Sequence, residues 1–276
     1  MDGVFEFAGG SVVGKDHIII RRNNQDAFGW FTNPTMSVAV VCDGCGDLID
    51  SPNSEVGAKV GVQLLLTAMR NQYRRIFWPG EIFLEEVRQE MLERMKMIID
   101  QMGPNPNETI IRNFLFTVVG AFITPIRSIF FTLGDGIIIV NGEEFRIGPF
   151  PENQPPYLAY SFLNSSLIGK PNQLMFKIHR ALPTRELENF LLGCDGVGCL
   201  IDAVEKDVPG REGEKVGPVG QFWEDSRYFT NSFNIQRRLT VISRDNSVID
   251  WEGKRVKKSN GLLPDDTTFI VGRRKV

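Results

Sequence analysis

Histidine is nearly absent from this chain: His17 and His179 are its two copies in 276 residues. Both fall in strand-like runs with no nucleophile beside them, and no Gly-x-Ser-x-Gly turn occurs. Serine-hydrolase chemistry built on a histidine base is therefore disfavoured, and both imidazoles read as structural or surface groups. Long apolar runs are missing too, and the N-terminus lacks a basic segment followed by an apolar core, so neither a membrane span nor a secretory signal is expected. Lys and Arg form no long blocks and the net charge is -3, which argues against nucleic acid as a partner. No repeat and no Ser- or Gly-rich linker divides the chain, so residues 1-276 read as one domain, with 42% hydrophobic composition sufficient for a large core. Cysteine is scarce as well, with 4 copies. All four flank Asp-Gly pairs, and in the reducing cytoplasm expected for this protein such placement suggests metal binding or packing before disulfides.

What the sequence does contain is a repeated Asp-Gly element at strand ends. Val38 to Val41 reads as a strand buried on both faces, and it runs into Asp43-Gly44-Cys45-Gly46. Phe131 to Gly136 and Leu191 to Gly198 repeat the pattern around Asp135 and Asp195. One Asp-Gly taken alone is a common hairpin turn, and that reading holds for Asp135, which has strand-like residues on both sides. Carboxylates that converge are costly to desolvate and repel one another, and hard cations between them explain such convergence most simply. Glycine after each Asp lets the backbone turn sharply and bring a carbonyl oxygen near an ion.

Along the chain, Val12-Val13 and His17 to Ile20 read as short β-like runs leading to Arg21 and Asp26. Gly9 to Lys15 has the spacing of a phosphate-binding loop, but Asp16 stands where that motif needs Ser or Thr. Apolar spacing predicts helices over about 51-74 and 80-102, the second broken by Gly103-Pro-Asn-Pro-Asn. Strands are expected at 114-124, 128-133, 137-146, 173-180 and 188-194, with helices near 197-206, 219-229 and 233-243. The proline-rich stretch 148-171 reads as a surface flap or long connection, and 207-215 as a mobile loop. Strands, a helix pair, then more strands and helices fit an α+β fold in which helices cover antiparallel sheets.

Asp26, Asp43, Asp195 and either Asp265 or Asp266 each stand at a boundary between strand and turn. Oxygen-only ligands favour magnesium or manganese over zinc, and two such ions can hold a bridging water and neutralise a phosphoryl group during in-line displacement. A thiolate zinc site at Cys42-x2-Cys45 and Cys194-x4-Cys199 is the competing idea. Strand alternation argues against it, because Cys42 and Asp43 should face opposite ways.

Arg21-x3-Gln-Asp26-Ala, Val-Val-Cys-Asp43-Gly-x-Gly followed by Ser54-Glu-Val-Gly-Ala58, Leu-Gly-Asp135-Gly, Cys-Asp195-Gly and Asp265-Asp-Thr-Thr-Phe-Ile-Val occur in one order. In that order they resemble the type 2C, metal-dependent Ser/Thr protein phosphatases, most closely the bacterial branch, over about residues 8-273. The resemblance implies two antiparallel β-sheets packed as a sandwich and flanked by α-helices, with a dinuclear Mn2+ or Mg2+ centre at one end. It further implies that Asp43 bridges both ions, that the Gly44 carbonyl binds one, and that Asp195 and Asp265 bind the other. Asp26 would lie behind the metals and Arg21 would hold the substrate phosphate, as a planar guanidinium can donate two hydrogen bonds to it. The implied reaction is hydrolysis of phosphoserine or phosphothreonine in a phosphorylated protein.

Three positions depart from the family pattern. Gln25 replaces a glutamate, Cys45 takes the place of a histidine proposed as general acid in eukaryotic members, and Cys199 replaces an aspartate that helps hold a third ion. A third ion is therefore poorly supported. The departures also frame an alternative: a pseudophosphatase that binds a phosphorylated partner without turnover.

Overall fold

A computed structural model describes residues 3-45, 51-163 and 174-275. Two five-stranded antiparallel sheets lie at its centre. The first contains β1 (Phe5–Val12), β6 (Gly136–Val140), β7 (Glu143–Ile147), β9 (Asn189–Gly193) and β12 (Thr267–Arg274), in the order β1-β12-β9-β6-β7. The second runs β2 (Ala27–Asn33), β3 (Met36–Gly44), β4 (Phe116–Ile123), β5 (Arg127–Leu133), β8 (Lys177–Pro183).

Strand alternation explains why the sheets stack. On β3, Ala39 and Val41 face the first sheet and join Phe130, Ile138 and Phe190 in the core between the two, while Val38, Val40 and Cys42 face the opposite way. Phe130 of one sheet meets Phe190 of the other edge-on at 5.4 Å. The outer face of the second sheet is covered by α2 (Ser54–Tyr73) and α3 (Glu81–Met102), the helices that the apolar spacing predicts. Met91, Met95 and Ile99 of α3 are buried there, and Phe83 stacks on Phe122 of β4 at 4.8 Å. The first sheet is covered by α8 (Asn234–Ser243), whose Ile235, Leu239 and Ile242 are buried. The layers thus run helix, sheet, sheet, helix, as the resemblance implies.

Several local expectations give way. The segment read as β-like at His17 to Ile20 is a short helix, α1 (Lys15–Ile20), whose three isoleucines are exposed. Its start is fixed from far away: Lys15 N donates to the Leu263 carbonyl and Asp16 N to that of Pro264. The stretch 137-146 is not one strand but the hairpin β6-β7, turned at Asn141 and Gly142, both at positive φ. The helix expected at 219-229 is two single turns, α6 (Gln221–Glu224) and α7 (Arg227–Thr230), and α5 (Val197–Asp202) is shorter than predicted. The supposed mobile loop 207-215 is closed by an Asp207–Lys215 bridge with a 2.9 Å ion pair. Among the elements that went unread are β2, α4 (Pro106–Asn113), capped by the Asn105 side chain, and the hairpin of β10 (Asn246–Asp250) with β11 (Arg255–Ser259). Gly46 and residues 164-173, parts of the expected motif, loop and strand, lie outside the described residues.

Candidate metal centre

The antiparallel register brings the acid-bearing strand ends to one edge of the sandwich. Ala27 opposes Cys42, which places Asp26, just before β2, beside Asp43 at the end of β3. Gly193 opposes Phe269, so Asp195, after β9, comes near the Asp265-Asp266 pair before β12. Asp135 lies in the turn that carries the chain from β5 of one sheet to β6 of the other, between Gly134 and Gly136, both at positive φ. It is a link between sheets and not the hairpin that a lone Asp-Gly suggests.

Asp43, Gly44, Asp135, Asp195 and Asp265 line a single cleft at this edge, together with Thr117 and Tyr157. Asp26 lies beneath it. Carboxylate or thiol atoms of Asp26, Asp43 and Cys194 fall within 4.8 Å of one another, and both oxygens of Asp26 are buried without a hydrogen-bond partner.

The electrostatics follow from this crowding. Burial, then the charges of Asp266 and Asp195, push Asp26 up to about 8, while Thr268 and Cys194 beside it pull the other way. Burial and the charges of Asp26, Asp195, Asp265 and Asp135 hold Asp43 well above the ordinary carboxylate range. Asp135 and Asp265 are each raised to about 6, by burial first and the Asp195 charge second. Four acids raised by burial and one another's charge form a site with an excess of negative charge and oxygen donors. Hard divalent cations satisfy both, so the residues present fit the implied ions.

The two C-terminal acids divide their work. Asp266 is buried and fully used by the protein: its Oδ1 accepts from Gly14 N at 2.8 Å and its Oδ2 from Gln25 N at 2.6 Å. Asp265 is exposed to the cleft, with its side chain 52% accessible. Of the two candidates, Asp265 has the open carboxylate.

Gln25 is bound within the protein, its amide donating to Ser54 Oγ at 2.6 Å and more weakly to the Cys45 carbonyl at 3.4 Å. It therefore ties the start of α2 to the end of β3. Gly44 is held close as well, since a Cβ there would come within 2.8 Å of the Gln25 carbonyl. The cysteines do not assemble: Cys42 packs on the helix side, Cys194 on the inter-sheet side, and burial raises both thiols. Cys194 Sγ accepts from Thr268 N at 3.2 Å and faces the Asp266 carbonyl.

Arg21 caps α1 in left-handed backbone, is exposed, and is not among the side chains lining the cleft. His17, taken from sequence as structural or surface, does line it, between Asp265 and Asp266. The usable signal was its scarcity: a single imidazole in the segment leading into Asp26. Tyr157 was hidden in a loop whose sequence carries no such mark. His179 instead shares a 2.9 Å hydrogen bond with the Thr132 hydroxyl and lies away from the cleft.

A family profile described as Protein phosphatase 2C matches residues 13-238. No curated protein sequence matches the chain. Among solved structures, a bacterial serine phosphatase superposes with TM-score 0.57 at 14% identity, covering 98% of this chain and 98% of its own. The catalytic domain of the serine threonine protein phosphatase PstP in complex with 2 manganese ions gives TM-score 0.53 at 16% identity, with 99% of each chain covered. PstP/Ppp from Mycobacterium tuberculosis gives TM-score 0.52 at 16% identity, covering 99% of this chain and 100% of that one. At these identities the likeness is one of fold.

Proposed function

The chain belongs to the protein phosphatase 2C family, and on that premise we propose that it hydrolyses phosphoserine or phosphothreonine in proteins with the help of two Mn2+ or Mg2+ ions. The observation that carries this reading is the gathering of Asp43, Asp135, Asp195 and Asp265 from four separate strand ends into one cleft. Asp43, the Gly44 carbonyl, Asp195 and Asp265 would hold the ions. When bound, such ions would neutralise phosphoryl charge and acidify an attacking water.

The protein's own groups do the positioning. Asp26, buried behind Asp43, offers acceptor oxygens to a water beside that carboxylate. Asp266 clamps Gly14, Gln25 and His17, which fixes the approach of α1 to the cleft; His17 in turn faces Asp265 at 3.5 Å and restrains that carboxylate. Arg21, at the exposed cap of α1, is the proposed phosphate holder. We take 1-276 as one catalytic domain acting in the cytoplasm on a phosphorylated protein partner.

The test is release of inorganic phosphate from phosphoserine and phosphothreonine peptides with Mn2+, compared with Asp43→Asn. Turnover by the parent and none by the variant is the expected result. Tight binding of the phosphopeptide by the parent with no phosphate released would replace the enzyme with the pseudophosphatase.

A further inference from the structure

Two grooves meet at the opposite end of the second sheet from the cleft and share Pro125, in the β4-β5 turn. On β4, Thr117 lines the cleft, and Ile123, next to the turn that bears Pro125, stands about 20 Å away along the strand. One groove is walled by Phe31, Arg70, Arg74 and Phe77, the other by Trp78, Ile126, Arg127 and Arg185, and no carboxylate lines either. Phe77, Trp78 and Ile126 are 75%, 59% and 71% exposed, a concentration of large apolar surface at one place.

Among the described residues three of the groove arginines have no acid partner, while Arg185 reaches Glu186 at 3.6 Å. Arg88, Arg94, Arg146, Arg211, Arg238 and Arg273 each pair with a carboxylate of their own chain. Among the described residues, Arg70, Arg74 and Arg127 pair with none. Arg70 instead lies over the Phe31 ring at 4.8 Å and Arg127 over Trp78 at 5.1 Å, and Arg127 Nε is buried without a partner. Stacking uses the flat face of a guanidinium and leaves its N–H edge for an anion.

We propose that this face docks an acidic peptide segment of a partner protein, with carboxylates on Arg70, Arg74 and Arg127 and apolar side chains in the grooves between Phe77, Trp78 and Ile126. Charge complementarity selects acid, and the aliphatic walls supplied by Ile126, Leu182 and Pro183 select a peptide over a nucleic acid, whose backbone calls for a continuous basic track. The face is independent of the metal centre, and an occupant held here can leave a phosphorylated residue free to reach the other end of the sheet.

The test uses the full chain and a fluorescein-labelled 12-residue peptide alternating Glu or Asp with Leu and Phe, followed by fluorescence anisotropy. A Lys-for-acid version of the peptide and a labelled 20-nucleotide oligo-dT serve as controls. We expect the acidic peptide to bind, to weaken as salt rises, and to lose about 10-fold in affinity with Arg74→Glu and again with Phe77→Ala. Both side chains are exposed, so these variants should keep the parental melting temperature, and Arg74→Glu should hydrolyse an aryl phosphate at the parental rate. No binding of the acidic peptide, equal binding by the variants, or preference for the oligonucleotide would overturn the proposal. Because the readout is binding, its failure is separable from any failure of phosphatase activity.

Discussion

His17 Nδ1 and Asp266 Oδ1 lie 3.0 Å apart, which ties the helix after β1 to the residue that precedes β12. Asp266 also accepts two backbone amides, from Gly14 and Gln25, so one N-terminal stretch is gathered by a single buried carboxylate from far along the chain.

Neighbouring acids should therefore fail in different ways. Asp266→Ala leaves two buried amides without an acceptor and should cost about 2–4 kcal/mol of unfolding free energy, read by urea denaturation. Asp265→Asn removes a cleft-facing charge but keeps an Oδ1 that can still accept the Asp266 amide, 2.7 Å away in the parent. It should leave the urea midpoint nearly unchanged while weakening Mn2+ binding in calorimetry at least about 10-fold, the size seen when a metal site loses an oriented group. Equal stability losses for the two variants would refute this division.

Asp43→Asn keeps shape and takes out of the crowded site a carboxyl that can there only be repelled or held protonated. Its carboxylate is held far above its ordinary range by burial and four neighbouring acids. The metal-free variant should accordingly melt several degrees higher than the metal-free parent, on the order of 1 kcal/mol of added stability, because repulsion is relieved. Mn2+ should stabilise the parent and not the variant. Thermal unfolding with chelator and with Mn2+ gives all four values.

How much of this was readable in advance depends on the range of the forces involved. Helices α2 and α3 are set by apolar spacing within their own segments, and β3 by an unbroken apolar run, so local pattern suffices for them. Asp43, Asp135, Asp195 and Asp265 were legible because each is marked by its own Asp-Gly or Asp-Asp. Helix α1 was not, since its β-branched Ile18 to Ile20 point to a strand and its first amides are satisfied by Leu263 and Pro264 from the other end of the chain. Asn105-Pro106 was read only as a helix break, although the same pair also starts α4 as cap and first residue. The β10-β11 hairpin has no buried face and hence no alternation to detect. The roles of His17 and Asp266 depend on that same long-range closure, which no spacing within either segment encodes.

Gly57, in the first turn of α2, should tolerate no side chain. A Cβ there would collide with the Asn113 carbonyl and approach the Phe114 backbone, where α4 leads into β4. Helix propensity alone would make Gly57→Ala stabilising by up to about 1 kcal/mol. The clash with backbone outweighs it, and the expected outcome is a lower melting temperature with α2, Ser54 included, displaced from Gln25. A rise in melting temperature would show that α2 is not seated this closely.

The last prediction concerns pH, and its sign follows from the raised carboxyls. Asp135 and Asp265 titrate at about 6 and Asp26 at about 8 in the folded protein, against an ordinary value of 3.8. Groups raised on folding contribute stability that is fully present below the unfolded value and is lost as pH rises through the folded one. His17, raised chiefly by the Asp266 carboxylate 3.0 Å from its Nδ1, acts in the same sense. Surface acids such as Glu85, which the Arg88 hydrogen bond holds below its ordinary value, act oppositely but lose their contribution only near pH 4. Between pH 8.5 and 5.5 the cleft should therefore dominate, and the metal-free protein should melt at progressively higher temperature as pH falls. Saturating Mn2+ should flatten or invert that slope, because the ions bind the deprotonated acids and displace their protons. A metal-free melting temperature that instead rose with pH would mean that these acids are not pressed together in the folded protein.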